Sequence, residues 1–337
     1  FGKMPLANGF LKKKDFVKEF FYNLEIGFSN KLSLFQINDH PNPPQMFNSK
    51  YPFFTGSSKH MKIHFKNYSD YIKKQIVTGS KLIEIGSNDG TFLSNFDKKK
   101  FEVIGIEPSK NVSDIAKSNG IRSVNKFFNR NIIKSIKSYK HNTDIICGAN
   151  VICHIPKLTE LIKTIDILLS KNGKFIFEEP YMGSMFKKTS YDQIYDEHIY
   201  MFSCTSVKKI FKLFDLNLED AIPQKTHGGS MRYIVSRKKI ENKRLNKILD
   251  YEKKMNLDNL QSCINFKKKC EISKKKLNNK INLIKKTGKN ICGYAATSKS
   301  TTILNYCNIG PEKIDYICDT TKEKIDKFSP GKHIPIK

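Results

Sequence analysis

The six residues Tyr195-Asp196-Glu197-His198-Ile199-Tyr200 bring an imidazole, carboxylates and two phenols together. Imidazole titrates near neutral pH, so this run holds what is needed to remove a proton and steady the oxyanion left behind. A merely solvated loop is the alternative. A second run, Ile83-Glu84-Ile85-Gly86-Ser87-Asn88-Asp89-Gly90-Thr91-Phe92-Leu93, ends an apolar segment in a glycine-flanked turn. Gly86 and Gly90 let the backbone approach a ligand closely, and Glu107, at the end of the next apolar run, can accept from both hydroxyls of a ribose. A dinucleotide site favours G-x-G-x-x-G, whose amides face pyrophosphate. Asn88 and Asp89 stand in the turn instead, and a carboxylate there repels pyrophosphate but suits the cationic, amino-acid-bearing end of S-adenosylmethionine. The methyl donor is therefore expected rather than NAD, with a ligand-free glycine turn as the alternative.

Three further groups complete the polar inventory. Phe127-Phe128-Asn129 offers an aromatic face and an amide for adenine, and Asn150 and His154 follow the apolar run Ile145-Ile146-Cys147. Ligands of open α/β sheets bind at the carboxyl ends of such strands. His227-Gly228-Gly229-Ser230-Met231-Arg232 precedes the apolar run Tyr233-Ile234-Val235; it reads either as a contact for a substrate anion or carbonyl or as a tight turn into a strand.

Positioning these residues requires strands that alternate with helices. Short apolar runs recur at 82–85, 103–106, 145–147 and 175–177, with helix-length segments between them, which predicts a parallel sheet covered on both faces. A helical pattern over 59–77 leads into the first run. Residues 1 to about 60 carry Pro5, Pro41, Pro43, Pro44 and Pro52 and an alternating stretch at 32–37, the pattern of a small strand-and-loop module. From 241 to 286 there is no Gly or Pro and apolar residues keep helical spacing, so one or two long helices are predicted. After Gly288 come a second apolar run, a small-residue turn, a helix, and the run 314–319.

Length and composition bound the rest. At 337 residues the chain exceeds one ordinary domain, and 39% apolar with 11% aromatic residues suffices for ordinary cores and excludes a disordered chain. Sixty basic against 32 acidic residues give a net charge of +28. Nearly all the excess is lysine, with only Arg122, Arg130, Arg232, Arg237 and Arg244 as arginines. Recognition of phosphate and bases favours the bidentate guanidinium, so no nucleic-acid partner is expected. The Lys-rich helices could instead serve a membrane or a partner protein, but solvated faces are the commoner use. Eight scattered cysteines without C-x-x-C spacing point to a reducing compartment, and no run is long and apolar enough to span a bilayer. A cytoplasmic setting without membrane attachment is the expectation. The chain begins at Phe1 and stops at Lys337 inside a patterned segment, so both ends are expected to be cut, and the sequence does not decide whether a targeting segment exists.

Taken together, these motifs resemble the sugar C-methyltransferases that act on nucleotide-linked 4-keto-deoxyhexoses. The resemblance runs through Pro5-Leu6-Ala7-Asn8-Gly9-Phe10-Leu11, Tyr51 to Ser58, Glu84 to Phe92, Asn150 to Pro156, Tyr195 to His198, His227 to Arg232, Gly293 to Lys299 and Pro330 to Ile336. It implies an α/β protein with a small N-terminal module over 1–58, a central Rossmann-like class I methyltransferase domain over 59–240, a helical linker over 241–286 and a truncated C-terminal Rossmann-like domain over 287–337. His198 would remove the proton α to the sugar ketone, with Tyr195 and Glu197 beside it and His154 and Tyr51 near the substrate. Glu84, Gly86, Asn88, Asp89, Gly90, Phe92, Glu107, Pro108, Phe127, Phe128 and Asn150 would hold S-adenosylmethionine. His227, Gly228, Ser230, Arg232, Ser298 and Lys299 would meet the nucleotide sugar.

Two departures stand out. Family members build a zinc module from two Cys pairs, one upstream of Phe1 and one near 27–32, but 27–32 holds no Cys; a structural zinc needs four ligands, so no metal is expected from this chain. Ala295 and Ser300 replace glycines in the C-terminal turn. Rival readings are an O- or N-methyltransferase of another small metabolite, which needs no carbon base, and a nucleotide-sugar-binding protein that has lost catalysis.

Counterion release makes nucleic-acid binding by a basic surface fall steeply with salt. Filter binding to generic duplex at about 0.15 M salt is expected to show weak, sequence-indifferent retention; tight retention there would overturn the small-molecule reading.

Overall fold

The computed structural model describes residues 1–49 and 51–337. They form two compact units, one from 43–179 and 204–251, the other from 1–42, 180–203 and 252–337.

The first unit is built on seven strands: β1 (Lys81–Ile85), β2 (Glu102–Ile106), β3 (Ser123–Val124), β4 (Thr143–Ala149), β5 (Leu169–Pro180), β6 (Asn217–Gln224) and β7 (Ser230–Ser236). Their order in the sheet is β3-β2-β1-β4-β5-β7-β6. From β1 the chain winds outward through β2 and β3, returns to pair β4 against the other edge of β1, and continues to β5, all in parallel. The last two strands form an antiparallel pair. Leu82, Ile83, Ile104, Ile146, Phe175 and Ile176 are all buried, as strands covered on both faces require. The helix Lys59–Lys73 begins where the Ser58 hydroxyl accepts the Met61 amide, and it lays Phe65, Tyr68 and Ile72 on the core at helical spacing.

Of these strands, β6 is the one its pattern hides. Glu219, Asp220 and Pro223 interrupt its alternation, and a register shift between Leu218 and Asp220 absorbs the irregularity.

The second unit has its own core, with Met4, Leu24, Phe35, Ile37, Met182, Phe186, Phe266, Leu304, Ile317 and Ile336 among its buried members. Two small antiparallel sheets come from the first residues, one of which recruits Tyr200–Met201 alongside Leu34–Ile37. The stretch without Gly or Pro forms two helices, Lys243–Lys254, which the two units divide between them, and Leu260–Lys286, which begins in the second unit where the Asn259 side chain accepts the Gln261 amide. Beyond them Cys292–Tyr294 and Tyr316–Cys318 pair in parallel, with the helix Ser298–Cys307 between them in sequence. Among the described residues no helix is long and apolar enough to cross a membrane.

The turn that leaves Cys292–Tyr294 is tightly tied. The Ala295 amide donates to the Cys318 carbonyl at 2.7 Å, the Ala296 amide to Asp319 at 2.8 Å, and Lys324 donates to the Ala296 carbonyl at 2.7 Å. Thr297 and Ser300 cap the helix reciprocally. Ala295 sits at φ +69°, the left-handed region that glycine adopts without penalty. A Cβ there costs about 1–2 kcal/mol, offset by the roughly 0.5–1 kcal/mol of extra chain entropy that glycine loses on folding. Ala295→Gly is therefore expected to stabilise the protein by about 0.5–1 kcal/mol, read as a higher urea midpoint; a lower midpoint would show that the Cβ is not strained.

Candidate active site

The register of β1 against β2 sets the first part of the site. Ile85 lies opposite Ile106, so the turn after β1 and the acid after β2 emerge level at the carboxyl edge of the sheet. The turn passes through φ +66° at Gly86, +49° at Asn88 and +79° at Gly90. A Cβ on Gly86 would come within 2.5 Å of Val151, so only glycine fits there. Glu107 accepts the Asn88 amide at 3.0 Å on one oxygen and the Ser109 amide at 2.7 Å on the other. Each oxygen keeps a further lone pair for a hydroxyl. Asn125, which the sequence reading passed over, fixes this corner by donating to the Glu107 and Pro108 carbonyls at 2.9 and 2.8 Å.

Three carboxylates, Glu84, Asp89 and Glu107, share this edge, and all are buried. Burial, then repulsion from Asp89 and Glu107, pushes the Glu84 carboxyl well above its ordinary value. Burial raises that of Glu107 as well, against the pull of the Ser109 and Asn88 amides. Glu84 Oε2 is shut off from solvent and has no hydrogen-bond partner among the described residues. An unneutralised acidic cluster of this kind fits a ligand that brings positive charge, as the ammonium and sulfonium of S-adenosylmethionine do.

The structure disperses some of the expected donor contacts. Phe92, 1% exposed, packs among Phe65, Tyr68 and Phe96 in the core beneath the turn. Phe128 is buried, whereas Phe127 is exposed. Asn88 and Asp89 turn toward the segment that carries Tyr51: the Thr55 amide donates to Asn88 Oδ1 at 3.0 Å and the Gly56 amide to Asp89 Oδ2 at 2.7 Å. The Tyr51 carbonyl accepts from Asn111 at 2.9 Å.

Past the end of β4 the structure gathers residues from distant parts of the sequence. Asn150 and His227 both adopt left-handed backbone, at φ +53° and +50°, and their side chains meet at 2.8 Å between Nδ2 and Nε2. An amide nitrogen only donates, so this contact fixes His227 with its proton on Nδ1. Strain held at two positions that bond each other is the pattern of a built site. His154 stacks on Phe47 with centroids 5.6 Å apart, and burial, with His227 nearby, pushes its imidazole down to about 3. The turn below is shaped by Gly228 at φ +78° and by the Ser230 hydroxyl, which donates to the Thr226 carbonyl at 3.1 Å.

Two buried acids at the end of β5 hold this region in place, and neither stood out in the sequence. Glu179 Oε1 accepts the amides of Val151, Ile152 and Cys153 at 3.0, 2.7 and 3.3 Å, clamping the loop that carries His154. Burial pushes its carboxyl up to about 7 against the pull of those donors. Glu178 meets His64 at 2.6 Å and the Arg232 guanidinium at 2.7 and 2.5 Å. Burial alone would raise its carboxyl, but the His64 and Arg232 contacts win and hold it below the usual range. Arg232 is 5% exposed and also lies over the Tyr68 and Tyr71 rings. Its guanidinium is thus engaged inside the sheet rather than presented to a substrate anion.

The Tyr195–His198 run belongs to the second unit, where all four side chains are buried. His198 Nδ1 lies 2.8 Å from the Gln193 carbonyl and Nε2 lies 2.8 Å from the Tyr195 hydroxyl. A carbonyl only accepts, so Nδ1 carries the proton and Nε2 is the basic nitrogen, with the phenol donating to it. The N-terminal motif holds the two acids between them. The Ala7 amide donates to Asp196 at 3.0 Å and the Asn8 side chain donates to Glu197 at 2.6 Å. Thr301 donates to the Ala7 carbonyl at 2.9 Å, tying the motif to the last helix. Burial first, then Glu197, raises the Asp196 carboxyl. Ser298 opens that helix; the Lys299 ammonium is lowered by burial, opposed by Asp192. Asn8 is the member that sequence reasoning left out, although it lies inside a motif already noted.

Strand order and the acid-lined turn after β1 together define a class I S-adenosylmethionine-dependent methyltransferase. The family profile described as "Methyltransferase domain" matches residues 61–221, and the one described as "C-methyltransferase C-terminal domain" matches 225–337. The chain belongs to the S-adenosylmethionine-dependent C-methyltransferases. It is 24% identical to the C-methyltransferase NovU of Streptomyces niveus over 342 aligned positions, which cover 100% of this chain and 81% of that one. Among solved structures, YcgJ of Bacillus subtilis is similar over 52% of this chain and 100% of its own, at 12% identity and a TM-score of 0.41. The CurJ carbon methyltransferase is similar over 53% of this chain and 54% of its own, at 15% identity and a TM-score of 0.40. Those two likenesses add nothing to what the strand order shows.

A charge-assisted hydrogen bond contributes about 1.5–3 kcal/mol. Glu107→Ala is therefore expected to weaken S-adenosylmethionine binding at least tenfold in calorimetry, and an unchanged dissociation constant would move the ribose elsewhere.

Proposed function

We propose that this C-methyltransferase acts on the carbon α to the ketone of a 4-keto-deoxysugar carried on a nucleoside diphosphate. The observation that carries the reading is the Tyr195–His198 pair. Transfer to carbon differs from transfer to oxygen or nitrogen in requiring that a weakly acidic C–H be broken first, so it needs a base with its pKa near the working pH and its reactive nitrogen fixed. The Gln193 carbonyl supports that role by holding the proton on Nδ1 and leaving Nε2 basic.

In this scheme His198 takes the α proton, and the C–H electrons move into a carbon–carbon double bond as the ketone oxygen becomes an enolate. Because the Tyr195 hydroxyl sits on Nε2, the phenol can relay: it gives its proton to Nε2 as its oxygen accepts the one leaving carbon. Glu197, steadied by Asn8, sets the polarity beside the pair. The donor supplies a methyl group on a sulfonium, and the C–S electrons stay with sulfur when the enolate carbon takes the methyl. On the donor side Glu107 is proposed to bind the ribose hydroxyls, Glu84 and Asp89 to provide the negative field for the cationic end, and Phe127 to face the adenine. Asn150, His154 and His227 are proposed to orient the sugar.

By role, residues 59–240 are proposed to hold the donor, with 1–58 as a small N-terminal module, 241–286 as a helical link, and Ser298 and Lys299 of 287–337 meeting the sugar nucleotide. An ammonium near a helix N-terminus suits a diphosphate. The setting this implies is deoxysugar synthesis in the cytoplasm. The base also bears on the rivals, since carbon beside a ketone is no nucleophile until a base removes its proton, whereas a hydroxyl or amine already carries a lone pair, and a binding protein without catalysis has no reason to keep its tautomer fixed.

His198→Asn keeps size and polarity while removing the basic nitrogen. Donor and sugar binding should persist, turnover should fall by roughly 10²–10⁴, and exchange of the α hydrogen with deuterated solvent should stop. Turnover at the parent rate would place the base elsewhere; His154, the other imidazole proposed near the sugar, is poorly suited, since burial holds it down at about 3.

A further inference from the structure

We propose that Tyr51–Ser57 is a strap across the donor cradle, and that Asn88 and Asp89 are positioning residues that hold this strap rather than ligands of the donor. Both ends of the Asn88 amide are engaged by it: Oδ1 accepts the Thr55 amide at 3.0 Å and Nδ2 donates to the Phe53 carbonyl at 3.1 Å. Both oxygens of Asp89 are engaged by protein as well. Oδ2 accepts the Gly56 amide at 2.7 Å, and Oδ1 accepts the Thr91 amide and hydroxyl at 3.2 and 2.6 Å. The strap backbone passes so close that a Cβ on Gly56 would stand 3.0 Å from both Asp89 Oδ2 and Thr91 Oγ1. Its other end is held by Asn111, on the helix that follows β2, through the Tyr51 carbonyl at 2.9 Å. The strap therefore spans the carboxyl ends of β1 and β2, the two strands whose ends carry the glycine turn and Glu107.

The same residue links the strap to the cradle. While the Asn88 side chain grips the strap, its main-chain amide donates to Glu107 at 3.0 Å. A donor held by Glu107 thus favours the arrangement in which Asn88 meets the strap, and a docked strap slows the departure of the donor; the coupling is reciprocal by linkage. Releasing the strap breaks the Phe53, Thr55 and Gly56 contacts to Asn88 and Asp89 while the turn and strands beneath keep their own bonds, a local opening rather than unfolding.

This inference rests on the donor lying at Glu107, and two variants that attack the contact from opposite sides separate it from that reading. Asn88→Gly deletes both grips and tolerates the left-handed backbone at this position. Gly56→Ala intrudes from the strap side and leaves Asn88 and Asp89 as they are. Hydrogen exchange at the Thr55 and Gly56 amides, measured without donor, should rise at least tenfold in both variants while exchange in β1 and β4 stays unchanged. Stopped-flow dissociation of S-adenosylmethionine should quicken at least tenfold in both, with association altered less than twofold. Unchanged exchange would overturn the strap. Raised exchange with unchanged dissociation would overturn its hold on the donor, and faster dissociation in Asn88→Gly but not in Gly56→Ala would make Asn88 a direct ligand. Failure of the donor placement itself shows separately, as Glu107→Ala binding the donor like the parent.

Discussion

The parallel register of β1 with its two neighbours is the constraint on which the donor side depends. Ile85 sits opposite Ile106 on one side and Gly148 on the other, so three loops leave the sheet at one level, carrying Gly86 to Gly90, Glu107 and Asn150. A shift of one residue in either pairing would reverse which face each side chain meets, and a shift between β1 and β2 would carry Glu107 away from the Asn88 amide. That register in turn depends on the apolar runs of the central strands, buried on both faces. Val151 then closes the space beside Gly86 so tightly that glycine is the residue the turn permits.

On this frame the protein manages several buried acids by distinct means. Glu178 is balanced by a guanidinium and an imidazole and stays ionised, while Glu179 is held by three amides that lock the loop beyond β4. Glu84 and Glu107 crowd Asp89 with no cation paired to them among the described residues, an arrangement that a cationic ligand would relieve. In the second unit Asp196 and Glu197 are met by an amide and a side-chain amide from the N-terminal motif, which fix their loop. Removing one partner of any of these acids would leave a buried group unsatisfied, a larger penalty than the loss of an exposed ion pair.

Much of the frame was legible because period and punctuation agree. The runs at 82–85, 103–106, 145–147 and 175–177 became β1, β2, β4 and β5, and the stretch without Gly or Pro became two helices. β6 was hidden by Glu219, Asp220 and Pro223, whose pattern is set by a bulged edge strand rather than by alternation. Glu107 was visible through its distance from the glycine turn, whereas Glu178 and Glu179 were not, since two acids ending a strand say nothing about which donors will converge on them. Arg232 and Phe92 show the reverse limit: residue type suggested a ligand contact, and tertiary packing assigned them to Glu178 and to an aromatic core. The Asn150–His227 contact joins positions 77 apart and follows from the sheet order, which no local pattern encodes.

The chemistry turns on which atom receives the methyl group. Parent protein incubated with methyl-labelled S-adenosylmethionine and a panel of nucleotide-linked 4-keto sugars should place the label on the carbon α to the ketone, as located by tandem mass spectrometry and carbon NMR of the product. Label on a sugar oxygen or on a nitrogen would contradict the carbanion route and leave the Tyr195–His198 pair without the role assigned to it.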